Sequence, residues 1–267
     1  MLAAVIIIIF FIPYTASGFA ACGKLFSSLF GMNYMTAMII SAVVIVAYTT
    51  AGGFFAASAT DFVQSIIMTV AIVFVLVFST ISAGGIDVVV ENAKALPGYL
   101  SLTASYIEDT GKSEPYNLLH IITTLSWGLG YFGMPHILLR FMAIEDEKKL
   151  KLSRRVASVW VVIAMAMAVL IGIVGRALSN TGLVDQLHGN DTETIIVRVA
   201  HLLSTYGAFP AIMAGLILAG ILASTMSTAD SQLLAAASSV SENILREAFH
   251  LKISEKKSML AARACYC

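Results

Sequence analysis

The sequence predicts an all-α membrane protein with about six transmembrane helices, and three observations carry that prediction. Hydrophobic residues fill 58% of the 267 positions and charged residues only 12%, whereas a soluble domain keeps roughly a quarter of its residues charged. Mean hydropathy is +0.88. The apolar residues also gather in continuous runs of about 18 or more, long enough to cross a bilayer as helices. Lipid offers no partner to free backbone groups, so helices are the expected solution. Strands of a membrane barrel would alternate with period two, and these runs do not.

The expected spans are 2–23, 34–51, 61–82, 117–140, 156–176 and 208–241. Span one opens on Leu2-Ala3-Ala4-Val5 and four isoleucines, with no basic residue before Lys24. A secretion signal needs a basic start and a small-residue cleavage site, so this start reads as the middle of a larger protein. Span three follows Gly52-Gly53 and begins at Asp61. Span four carries Gly128, Gly130, Gly133 and Pro135, which predict a broken or closely packed helix. Between spans five and six, residues 192–205 read as a short amphipathic helix at the interface.

Basic residues orient the chain. The loop 141–155 holds Lys148, Lys149, Lys151, Arg154 and Arg155, with Arg140 just before it. Arg246, Lys252, Lys256, Lys257 and Arg263 follow span six. The connections 83–116 and 177–207 are richer in acids, including Asp87, Glu91, Glu108, Asp109 and Glu114 in the first and Asp185, Asp191 and Glu193 in the second. Loop 141–155 and the C-terminus are therefore expected in the cytoplasm, in a multi-pass protein of the cytoplasmic membrane. Sixteen basic and sixteen acidic residues balance, which argues against nucleic-acid binding, since that needs a basic face. Cys22, Cys265 and Cys267 have no companion His or Cys cluster and read as incidental thiols.

Polar groups inside apolar spans carry the functional information, because each costs free energy unless satisfied. In span six, Ser224, Ser227, Thr228 and Ser231 fall on one helical stripe with Asp230 beside it. Hard oxygen ligands of this kind suit a small alkali cation. The alternative is that the hydroxyls bond their own i−4 carbonyls and help helices pack. Asp61 is either a helix N-terminal acid at the positive dipole end or an acid at the inner end of an ion path. In span four, Trp127, Tyr131 and Pro135 are spaced by four, and the neighbouring glycines let a ligand or another backbone come close. Tyr14 follows Pro13 inside span one, with Thr15 and Ser17 nearby.

Five segments, in this order, resemble the sodium:solute symporter family, its sodium/proline branch above all. They are Phe11 through Gly18, Tyr48-Thr49-Thr50-Ala51-Gly52-Gly53-Phe54, Thr60-Asp61-Phe62-Val63-Gln64, Trp127 through Arg140, and Met226 through Ser231. The resemblance covers nearly all of 1–255, a partial transmembrane domain; the tail 256–267 is atypical. It implies part of an inverted-repeat (LeuT-like) transporter fold, with solute near the midplane beside discontinuous helices. It implies sodium ligation by the Ser227 and Thr228 hydroxyls with the Ser224 carbonyl, and a proline site lined by Tyr14, Trp127, Tyr131 and Pro135. Asp61, Asp230 and Ser231 are the candidates for a second sodium or an ion path, although Asp230 stands where a hydroxyl is expected.

The function implied is sodium-coupled symport of a small amino acid, L-proline first. Na+ is the coupling ion, no organic cofactor is called for, and the partners are the solute, the bilayer and the transmembrane segments missing from this stretch. The alternatives are symport of another small organic solute and a transporter-like module of a sensor protein. An intramembrane enzyme needs paired aspartates, a Ser–His or Ser–Lys pair or a metal motif, and the sequence offers none. The early unwound helix of the family would precede Met1, so the 267 residues are expected to insert without transporting alone.

Overall fold

The computed structural model describes residues 2–107, 110–131, 133–249 and Ala262. Lys252, Lys256, Lys257, Arg263, Cys265, Cys267, Glu108 and Asp109 lie outside the described residues, as does the tail 256–267 apart from Ala262.

Helices dominate, as the hydropathy requires. They are α1 (Leu2–Phe30), α2 (Tyr34–Ser82), α3 (Ile86–Lys94), α4 (Leu118–Tyr131), α5 (Pro135–Met142), α6 (Glu147–Asn180), α7 (Ile195–Ser204) and α8 (Ala208–Ser238). A 3-10 turn, Gly189–Thr194, leads into α7, and a π-helical stretch, Ser239–Ala248, continues α8. Among the described residues, four helices are long and apolar enough to cross a membrane: α1, α2, α6 and α8 with its continuation.

The count of four against six expected spans has two causes. The second and third spans are joined in α2, which runs through residues 54–60 where a connection was expected. Gly53 breaks the regular backbone there, with φ 61° and ψ −159°, a region that only glycine enters without strain. Span four is divided: α4 stops at Tyr131 and α5 starts at Pro135, whose ring cannot continue a helix. Gly133 donates its N–H to the Gly130 carbonyl at 3.1 Å, closing the last turn of α4.

Side chains set several helix starts. Asn33 accepts from Met35 N–H at 3.0 Å before α2, and Asn117 accepts from His120 N–H at 2.7 Å before α4. Asp146 caps α6 by accepting from Lys148 N–H at 2.9 Å, with Glu147 in the first turn. Each satisfies an orphan donor at a helix N-terminus.

The connection 83–116 holds more structure than its composition suggests. Beside α3 it forms an antiparallel hairpin of β1 (Ala104–Ile107) and β2 (Lys112–Pro115), in register Ala104 to Pro115 and Ile107 to Lys112. The expected interfacial helix at 192–205 is the 3-10 turn plus α7, with Val197, Val199, Ala200 and Leu203 buried.

The chain divides into two compact units. The first comprises Met1–Val70, Pro135–Ile144 and Leu218–Cys267. Its core joins Cys22, Ile45 and Ala229, packed by Phe19, Tyr48, Leu222, Met226 and Leu233. At Gly23 an added Cβ would lie 2.9 Å from Met38 Cβ, so glycine is what lets α1 approach α2. The second unit comprises Ala71–Met134 and Glu145–Ile217. Its buried residues include Val75, Val89, Ile171, Leu178, Val199 and Ile217. Elsewhere α6 shows Val156, Val159, Val162 and Met165 at its surface, the outward apolar face a lipid-facing helix needs.

Candidate functional site

The stripe in α8 resolves into two faces. Ser224 and Thr228 are exposed and Ser227 half-buried, whereas Asp230, Ser231 and Gln232 are buried. On the open face the Ser227 and Thr228 hydroxyls both donate to the Ser224 carbonyl, at 3.2 and 3.1 Å. This is the back-bonding that the sequence left as an alternative. It also gathers three oxygens around one turn, and each hydroxyl keeps lone pairs free to accept or ligate.

On the closed face Asp230 is fully buried and accepts from Tyr48 Oη–H at 2.7 Å, while the one Ser231 hydroxyl proton is shared between the Ser227 carbonyl at 2.7 Å and Asp230 at 3.1 Å. The Arg140 guanidinium donates to Ser231 Oγ and forms an ion pair with Asp61. The Asp61 side chain is only 10% exposed. One hydrogen-bonded chain thus runs Tyr48–Asp230–Ser231–Arg140–Asp61, and it draws on α2, α5 and α8. The three residues expected to offer a second cation site are together, but a guanidinium is the cation among them. Asp230 does not join the exposed hydroxyls; burial turns it to Tyr48.

Tyr14 sits in a second aromatic setting. Its ring lies 6.3 Å from Phe11 and 6.4 Å from His136, with Phe11 and His136 5.6 Å apart, all edge-on. His136 Nδ1 is buried without a hydrogen-bond partner. Beside this group, Thr15 Oγ1–H donates to Gln232 Oε1 at 3.2 Å, joining α1 to α8.

Trp127 and Tyr131 are neighbours on α4, with ring centroids 6.3 Å apart, and both are exposed, at 73% and 51%. They belong to the second unit, while Tyr14 and Pro135 belong to the first. Pro135 opens a new helix, so the four-residue spacing that linked it to Trp127 and Tyr131 ends at the break.

Sequence reasoning missed Arg140, Tyr48, Thr15, Gln232 and His136 as members of these clusters. Arg140 counted only as a topological charge. The usable signal was an arginine still inside an apolar stretch, Ile137-Leu138-Leu139-Arg140-Phe141, where a charge needs a partner.

Unevenly long apolar helices, a span broken at midlength and polar clusters within the apolar segments define a multi-pass membrane protein. The model of the sodium:solute symporter family matches residues 1–266, and the chain belongs to that family. It is 38% identical over 263 residues to the osmoregulated proline transporter OpuE of Bacillus subtilis strain 168, covering 98% of this chain and 50% of that protein. It is 36% identical to sodium/proline symporter 2 of Staphylococcus saprophyticus, covering 98% and 48%. It is 35% identical to the sodium/proline symporter of Escherichia coli K12, covering 98% and 50%. The chain therefore spans about half the length of the relatives it matches. The fold is that of a Na+-coupled sialic acid symporter solved in a substrate-bound, outward-open state, with TM-score 0.79 at 19% identity, over 99% of this chain and 55% of that one. This is the inverted-repeat (LeuT-like) transporter architecture that the sequence suggested.

Proposed function

We propose that the protein carrying these residues is a sodium-driven symporter of a small amino acid, L-proline first, in the cytoplasmic membrane. The observation that carries this reading is the set of proline transporters at 35–38% identity across 97–98% of the chain. The Ser224 carbonyl and the Ser227 and Thr228 hydroxyls would supply three oxygens to sodium. A hard cation takes about six, so the rest come from water or from segments outside this stretch. Trp127 and Tyr131 in the second unit, and separately Tyr14 and Pro135 in the first, are the candidates to meet the solute: an aromatic face packs an apolar ring and attracts an ammonium, worth about 0.5–2 kcal/mol.

Arg140 takes the part of a permanent cation between Asp61 and Ser231, so coupling through these residues needs no second sodium. Loop 141–155 faces the cytoplasm because its lysines and arginines are retained there. The test is uptake of labelled proline by the longer protein, in cells lacking their own proline carriers, with an imposed sodium gradient. Gradient-dependent accumulation that sodium ionophores abolish supports the reading. Accumulation of another solute with proline excluded, or uptake indifferent to sodium, overturns it.

A further inference from the structure

The second unit contains a cavity that none of the residues above lines. It has a volume of about 230 Å³ and is walled by Tyr99, Gly175, Arg176, Ser179, Gln186 and Thr192, with Leu187 and Ile195 as its apolar side. Gly175 shapes it: an added Cβ would come 2.6 Å from Ile195 Cγ1, so only glycine lets the start of α7 sit against α6 here.

The charged feature of this wall is Arg176. Its guanidinium lies over the rings of Tyr99 and Tyr106, at 5.5–5.9 Å from their centroids. Aromatic faces balance a cation, but they accept no N–H bonds in the plane of the fork. Nε of Arg176 is buried without a hydrogen-bond partner, and among the described residues no carboxylate pairs with this arginine. A buried donor left unmade costs about 1–3 kcal/mol. Arg176 therefore brings to the cavity wall a cation held in place by two rings and, among the described residues, without an acid partner.

The chemistry of that acceptor follows from the wall. A guanidinium fork matches a carboxylate with two parallel hydrogen bonds. Arg176 is the sole cation and no acid is present among the lining residues, which suits a single negative charge and leaves a phosphate dianion under-neutralised. Tyr99, Leu187 and Ile195 can pack a small apolar body. The volume lies below the roughly 300–1,000 Å³ of pockets for drug-sized ligands, so the guest is compact.

Its place follows from α6 alone. Arg176 lies 25 residues beyond Lys151 on one continuous helix, about 37 Å at 1.5 Å per residue. That exceeds the ~30 Å hydrocarbon core, so the cavity lies across the membrane from the basic run Lys148–Arg155. On the proposed orientation it faces outward; that placement, and not the ligand class, rests on the transport reading.

We propose that this cavity is a binding site for a compact monocarboxylate of amino-acid size, held by the Arg176 guanidinium against Tyr99 and separate from the α8 hydroxyls and the α4 aromatics. The test uses the full chain in lipid nanodiscs with 15N-labelled arginine. The Arg176 Nε–H resonance is assigned by its loss in Arg176→Lys, a variant that keeps the charge. Sodium acetate, sodium chloride and sodium phosphate are titrated at equal ionic strength, followed by proline. The expected result is a saturable shift with acetate and with proline, none with chloride, and no change of this behaviour in Trp127→Ala. Acetate binding to Arg176→Lys, read by isothermal titration calorimetry because this variant lacks the resonance, should weaken about tenfold or more. A resonance that acetate does not move, or that phosphate alone moves, overturns the proposal. Proline binding that by calorimetry persists unweakened in Arg176→Lys and disappears in Trp127→Ala also overturns it, while leaving sodium-driven proline transport intact.

Discussion

Tyr48→Phe removes one oxygen and tests whether the buried carboxylate of Asp230 depends on α2. Asp230 is fully buried and its hydrogen bond from Tyr48 is 2.7 Å long; Ser231, at 3.1 Å, also reaches the Ser227 carbonyl at 2.7 Å and has one proton for both. Hydrogen bonds to charged groups contribute about 1.5–3 kcal/mol in water-soluble proteins. Interhelical hydrogen bonds in membranes average about 0.6 and reach about 1.7 kcal/mol. A short bond to a carboxylate with no access to solvent belongs at the upper end of the second range, so the expected loss is about 1.5 kcal/mol. The assay is reversible unfolding of the chain in mixed micelles by rising dodecyl sulfate, followed by circular dichroism. Asp230→Asn and the double variant complete a cycle whose coupling energy should be about 1 kcal/mol. A coupling below about 0.3 kcal/mol, the level at which independent sites add, would refute the claim that Tyr48 supports Asp230.

Three further outcomes follow. Ser227→Ala and Thr228→Ala, made in the longer protein, should each raise the sodium concentration needed for half-maximal uptake and weaken proline binding with it, because the two ligands share a coupling free energy; titration of initial uptake rates against sodium checks this. Trp127→Ala and Tyr131→Ala should reduce proline uptake strongly while Trp160→Ala, on α6, reduces it little, and equal losses at all three in transport assays at matched expression would point to general destabilisation. Arg140→Gln leaves Asp61 without its cation; with Arg140 41% exposed, the stability loss should stay below about 3 kcal/mol, and a steeper sodium dependence of uptake is expected as sodium gains an open carboxylate. Unfolding and uptake curves on the same preparation read both effects.

The membrane-crossing helices were legible because hydropathy and length are properties of local sequence. The break in span four was legible for the same reason: Gly133 and Pro135 act on their own backbone. The break at Gly52-Gly53 was legible, but not that a helix resumes at once from Phe54 instead of at Asp61. The hairpin at 104–115 left no trace, since its strands are four residues long and Lys112–Pro115 is exposed throughout. In the candidate site the back-bonding of Ser227 and Thr228 follows from spacing alone. The pairing of Arg140 with Asp61 does not; they lie 79 positions apart, and only the packing of α5 makes them neighbours.

The distance between partners along the chain also bears on biogenesis. Thr15 and Gln232 are 217 residues apart, and Tyr48 and Asp230 are 182 apart. At about 5–20 residues per second of synthesis, the earlier member of each pair waits roughly 10–40 s in the bilayer before the later one emerges. In these two pairs the gentler group comes first: a hydroxyl and a phenol tolerate that interval near lipid, whereas an aspartate at a helix centre costs about 2.5–3.5 kcal/mol to insert. Asp230 arrives last, when its donor is already embedded. Reversing the two, with the carboxylate on α2 and the phenol on α8, would preserve the finished contact and add a second early carboxylate to Asp61, which already precedes its partner Arg140 by 79 positions.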